Sequence, residues 1–90
     1  MTWHVKVHNG AAKQLDAIPP DRRKRILNDI DELADAPFRG LVKPLKGPQY
    51  RGIYRKVSGR YRIIFKPIHA AHTVEVLSVL LRDERTYRHL

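Results

Sequence analysis

Gly59-Arg60-Tyr61-Arg62-Ile63-Ile64-Phe65-Lys66-Pro67 is the stretch from which the architecture can be built outward. In an extended chain Tyr61, Ile63 and Phe65 fall on one side and Arg60, Arg62, Ile64 and Lys66 on the other, the period-2 pattern of a strand with one apolar face. Ser58 and Gly59 offer a turn ahead of it, so a preceding strand over about Tyr50 to Lys56 is predicted to fold back antiparallel. After a connection over Ile68 to His72, the segment Thr73 to Leu81 is almost continuously apolar. That pattern predicts a third strand, central in the sheet and covered on most of both faces.

Upstream, Trp3, Val5 and Val7 alternate with His4, Lys6 and His8, which gives one more half-buried strand. Asn9 is placed to cap a short helix over Gly10 to Ile18, with Ala11, Leu15 and Ile18 on its buried side and Pro19 ending it. Pro20 and Asp21 open a second helix that runs to about Ala36, where Pro37 stops it; Ile26, Ile30 and Leu33 form its stripe, with Leu27 and Ala34 as further candidates for it. Phe38 to Gln49, with Gly40, Pro44, Gly47 and Pro48, reads as a loop or a bent edge segment. The fold class is therefore α+β: an N-terminal strand, a two-helix hairpin, then a three-stranded antiparallel meander completing one sheet, with one layer of helices. Ninety residues accommodate a single domain over 1–90.

Charge narrows the function. The segment from Pro37 to Val74 carries nine of the 18 Lys and Arg residues and none of the nine Asp and Glu, so the whole net charge of +9 sits there. A surplus gathered in one segment is the footprint expected for a polyanion, because each cation near a phosphate releases condensed counterions. The second helix adds a puzzle. Arg22, Arg23, Lys24 and Arg25 crowd the positive end of its dipole while Asp29, Asp31, Glu32 and Asp35 lie toward the negative end, each at a cost of a few tenths of a kcal/mol, roughly. Intrahelical pairs such as Arg25 with Asp29 offset part of this on a solvated face; docking of a partner is the sharper alternative.

Several classes are set aside. The chain has no cysteine, which removes disulfides, thiolate metal sites and a thiol nucleophile. His69 and His72 have too few companions for a metal site, so no metal and no cofactor is expected. No apolar run approaches the roughly 20 residues of a membrane span, and His4 and Lys6 interrupt the N-terminus, so a cytoplasmic protein without membrane contact is expected.

Metal-free cleavage of RNA fits what remains. The 2′-hydroxyl is the nucleophile, so a protein must take its proton, neutralise charge on the phosphorane oxygens and protonate the leaving 5′-oxygen. Arginines suit the middle task, since their charge persists and their fork matches phosphate oxygens. Cations alternating along a sheet face repel unless an anion joins them, and Arg62 is predicted to lie across the hairpin from Arg55 or Lys56. A tyrosine set among cations can act as the base. Arg82, Arg85, Tyr87 and Arg88 follow the last strand, where a tail can fold back over the sheet.

The combination Leu45-Lys46-Gly47, Tyr54-Arg55, Gly59-Arg60-Tyr61-Arg62-Ile63-Ile64-Phe65 and Arg82-Asp83-Glu84-Arg85-Thr86-Tyr87-Arg88 resembles the RelE/ParE superfamily of type II toxins, closer to the RelE branch, over essentially the whole chain. The resemblance implies a ribosome-dependent messenger RNA endonuclease held inactive by a cognate antitoxin in a hetero-oligomer, with ribosome and messenger RNA as its other partners. It implies catalytic roles for Arg55 on the second strand, Arg62 as the arginine that grips the phosphate, Tyr87 as base, and either Arg82 or Arg85 as the C-terminal arginine. Lys43, Lys46, Arg51, Lys56, Arg60, Lys66 and Arg88 are the expected RNA-binding residues. Where the family pattern has a lysine two residues before Arg55 this chain has Ile53, so Lys46, Arg51 or Lys56 must supply that contact, or it is absent.

Two other readings use the same features. ParE members of the superfamily poison DNA gyrase and need no phosphate site; a non-catalytic RNA- or ribosome-binding module needs only the basic sheet. Trp3 reads as a core or edge-strand anchor and Tyr61 as packed, while Tyr50 and Tyr54 either stack on bases or shield sheet edges.

Overall fold

The turn at Gly59 and Arg60 sets the hairpin on which the sheet is built. The computed structural model describes residues 2–82. Strands β3 (Tyr54–Ser58) and β4 (Tyr61–Ile68) pair antiparallel with Ser58 opposite Tyr61. Gly59 has φ +59° while Arg60 stays out of the left-handed region, which matches a II′ turn with glycine at its first central position. The turn thus falls one residue later than Ser58-Gly59, because Ser58 remains in the strand. This shift changes the register: Arg62 lies opposite Val57, and Arg55 opposite Ile64. The expected facing of Arg62 with Arg55 or Lys56 is not found. β3 also starts later than Tyr50, since Pro48–Tyr50 forms a single 3-10 turn and Arg51 and Gly52 turn the chain again.

Around the hairpin the five-stranded order is β1-β5-β4-β3-β2. β5 (Thr73–Leu81) runs antiparallel to β4 and parallel to β1 (His4–Val7). The short strand β2 (Val42–Pro44) adds an antiparallel edge to β3, and Pro44 is tolerated there because an edge need not donate every amide. Helices α1 (Asn9–Asp16) and α2 (Pro20–Asp35) cover one face. α2 begins with Pro20 in its first turn, as predicted. Asn9 does not cap α1: His8 occupies the N-cap, without a side-chain hydrogen bond.

β5 is central, yet its apolar run has a different cause from the one expected. Ile64 pairs with Ser78 and Phe65 with Val76, so Leu77 is an extra residue, a β-bulge. The bulge resets the alternation, so that Val74, Val76 and Val79 all reach the helix side and are buried. On the other face Glu75, Ser78 and Leu80 are only half-buried.

The core joins Ala11, Leu15 and Ile18 to Ile26, Ile30 and Leu33, and these to Ile63, Phe65 and the three valines. Trp3 packs against its edge, stacked on His72 with ring centroids 4.2 Å apart, which bears out its reading as an anchor. Tyr61 packs against the core as well, and Tyr54 lies between Phe65 and Phe38, so Tyr54 shields the sheet. Two polar contacts cross between the layers. Lys56 Nζ donates to Glu32 Oε1 at 3.0 Å, and Ser58 Oγ donates to Asp29 Oδ2 at 2.5 Å. Two acids of α2, Asp29 and Glu32, are therefore used toward the sheet, and among the described residues Arg25 and Asp29 form no ion pair. No described helix is long and apolar enough to cross a membrane.

Candidate nucleic-acid interface

Because side chains alternate along β3 and β4, the face without helices receives Arg55 and Val57 from one strand and Arg62, Ile64 and Lys66 from the other. Arg62 is the most constrained of these. It is only 8% exposed, and its Nη1 donates to the carbonyl oxygens of Tyr61 at 2.8 Å and Gly59 at 3.1 Å. The turn thus anchors one end of the guanidinium. Nε and Nη2 remain uncommitted among the described residues, the pre-organised fork that suits phosphate oxygens.

Two further arginines join it. The Arg82 amide donates to the Arg60 carbonyl at 2.8 Å, which extends the β4–β5 ladder by one step and brings the chain past β5 beside the turn. Gly59, Arg60, Arg62, Leu81 and Arg82 line an open cleft of about 390 Å³. Among the described residues no carboxylate lines this cleft. Like-charge repulsion among the three arginines favours an anion in their midst, where each contact is worth more than in bulk water.

Arg55 belongs to a neighbouring cleft of about 340 Å³ with Lys43, Lys46, Pro44, Leu45 and Tyr50. Arg55 and Arg62 share a sheet face as diagonal neighbours, with backbones roughly 7–8 Å apart. They are near one another but line different clefts. Arg51 is exposed in the turn after Tyr50. Lys66 lies four residues along β4 from Arg62, about 13 Å at strand rise, and faces Glu75 in register, so it is remote from the arginine cleft.

Lys56 is a correction. It projects to the helix side, is 3% exposed and is paired with Glu32, so it is a structural cation without access to RNA. A one-residue difference of side decides this, since Arg55 and Lys56 are adjacent on a strand. Arg85, Tyr87 and Arg88 lie outside the described residues. Sequence reasoning also left Arg22 and Arg25 of α2 off the phosphate-binding set. They line a third cleft of about 240 Å³ with Ser58, Gly59, Arg60 and Tyr61; the signal for them was cations standing against the helix dipole.

This architecture is that of known toxins. The chain is similar to a chain of the RelBE2 toxin-antitoxin complex from Mycobacterium tuberculosis, with TM-score 0.81 and 24% identity, covering 91% of this chain and 100% of that one. It is similar to a chain of the archaeal RelE-RelB complex from Pyrococcus horikoshii, with TM-score 0.78 and 28% identity, covering 93% and 99%. The isolated RelE toxin of Escherichia coli gives TM-score 0.74 at 22% identity, covering 91% and 88%. The fold is thus RelE-like, of the RelE/ParE superfamily. Residues 5–86 match the ParE toxin family of type II toxin-antitoxin systems, parDE, and the chain belongs to that family. No curated protein matches the sequence.

Proposed function

We propose that this toxin cleaves messenger RNA on the ribosome by attack of a 2′-hydroxyl on the adjacent phosphorus, without metal. The P–O5′ bond breaks, leaving a 2′,3′-cyclic phosphate on one fragment and a 5′-hydroxyl on the other. Arg62 grips the non-bridging oxygens as they gain charge, and Arg82 or Arg60 shares that load. Arg55, with Lys43 and Lys46, holds a neighbouring phosphate; Tyr87 is the base by family resemblance. The observation that carries this reading is the convergence of Arg60, Arg62 and Arg82 on one cleft, with Arg62 held by the carbonyls of its own turn. A site built only to be basic would have no need to fix one guanidinium in place.

The solved RelE neighbours in complexes with RelB support a cognate antitoxin as partner. An acidic or helical segment laid over the arginine cleft would block RNA by occupying its charges. A gyrase-directed activity is the second reading, favoured by the ParE family match over residues 5–86. Purified toxin added to translating ribosomes and, separately, to gyrase with supercoiled plasmid distinguishes them. Cut message with unaffected gyrase is expected; intact message with gyrase stalled on broken DNA would transfer the assignment to the ParE reading.

A further inference from the structure

The arginines at the start of α2 do not stand alone. Arg22 and Arg25 are three residues apart on one helix face, with Cβ atoms about 5–6 Å from each other. Across from them is the β3–β4 turn, where the Arg25 guanidinium lies 3.6 Å from the point at which a side chain on Gly59 would begin. Arg60 completes the cleft, with Ser58 and Tyr61 as its polar and aromatic walls. Gly59 and Arg60 also line the cleft that holds Arg62 and Arg82. The two clefts therefore meet at the hairpin tip, one on the helix side and one on the open sheet side.

Three features make this a polyanion path. The positive end of the 16-residue α2 dipole adds to Arg22, Arg25 and Arg60. Asp29 is committed to the Ser58 hydroxyl and does not pair with Arg25, and Asp21, in the first turn of α2, is not among the lining residues. Arginine is the cation throughout, on both sides of the tip. A chain of regularly spaced phosphates can engage both clefts at once, whereas a single carboxylate cluster can satisfy only one.

We propose that Arg22, Arg25 and Arg60 form a second phosphate subsite that carries an RNA strand from the Arg62 cleft over the β3–β4 turn onto the start of α2. This rests on the RNA-cleaving reading for what the strand is, but its test does not require cleavage. A fluorescent, uncleavable 2′-O-methyl RNA is titrated with the full-length protein across a salt series, once as a dinucleotide and once as a 12-mer. For the 12-mer, Arg22→Ala/Arg25→Ala weakens binding about tenfold at low salt and flattens the log K against log salt slope by about 1.4, two single-strand phosphate contacts. Dinucleotide binding is unchanged by this double substitution. Lys13→Ala/Lys24→Ala, which removes the same charge from exposed helical positions outside the cleft, leaves the 12-mer slope as in wild type. Equal slopes for the two double variants would overturn the subsite, as would an acidic peptide binding through Arg22 and Arg25 while the 12-mer does not. Wild type that fails to cut message yet shows the slope difference would sink only the cleavage reading.

Discussion

Lys56 on β3 and Glu32 on α2 meet at 3.0 Å across the interface between sheet and helices, with the lysine side chain 4% exposed and the carboxylate 36%. The pair is unequal. Glu32 can recover water if its partner is lost, but Lys56 has nowhere else to place its charge.

Replacing Glu32 by Ala is therefore expected to destabilise the fold more than replacing Lys56 by Met. Glu32→Ala leaves a buried cation unpaired and costs about 2 kcal/mol, discounted from a fully buried pair because the acid is partly wet. Lys56→Met keeps the volume, removes the charge and stays within about 1 kcal/mol of wild type. Urea unfolding followed by the emission of Trp3, the sole tryptophan, reads both. Lys56→Met is also expected to retain RNA binding and cleavage; a large loss of either with the fold intact would return Lys56 to the RNA surface.

Gly59→Ala tests the turn. The position has φ +59°, and a Cβ there meets the Arg25 guanidinium at ordinary contact distance, so the cost is conformational strain and not collision. About 1–2 kcal/mol is expected, equivalent to a fall in Tm of about 4–8 °C per kcal/mol for a chain of this size. Calorimetry showing an unchanged Tm would mean that the turn is not held as described.

For Arg62, charge alone is not expected to suffice. Its Nη1 is committed to the carbonyls of Gly59 and Tyr61, and among the described residues Nε and Nη2 carry no hydrogen bond. A lysine ammonium cannot divide itself in this way. Arg62→Ala is expected to lower cleavage by about 10²–10³-fold, the usual loss for one fixed donor to transition-state charge, and Arg62→Lys is expected to recover less than a tenth of the wild-type rate. Single-turnover cleavage on ribosomes measures this; near-complete rescue by lysine would reduce Arg62 to a simple counter-charge.

Much of the fold was legible because its signals are local. Trp3-Val5-Val7, the paired prolines 19 and 20, and the alternation from Tyr61 to Phe65 each identify one element with little help from the rest of the chain. What escaped depended on pairing across space. Placing the turn at Ser58-Gly59 and not Gly59-Arg60 moved the register by one residue, which is enough to set Arg62 against the wrong partner. The Leu77 bulge is likewise invisible in a run of apolar residues, and it made a one-sided strand look covered on both faces. At the candidate site, Arg62 and Arg82 were found from their place in the chain, and the cleft they share with Arg60 follows from the ladder at the end of β5. Lys56 was misassigned because neighbouring basic residues on a strand look alike until the strand is given its faces. Arg22 and Arg25 were seen as unfavourably placed charges, but only the packing of α2 beside the hairpin tip gives those charges a common address with Arg60.

The arginine cleft is most directly tested by sequencing the ends of cellular messages after brief induction of the toxin without its antitoxin. Fragments ending in 2′,3′-cyclic phosphates within translated codons are expected with the wild-type chain and are expected to be lost with Arg62→Ala at equal protein level. Uncut messages in cells whose growth has already stopped would contradict the account.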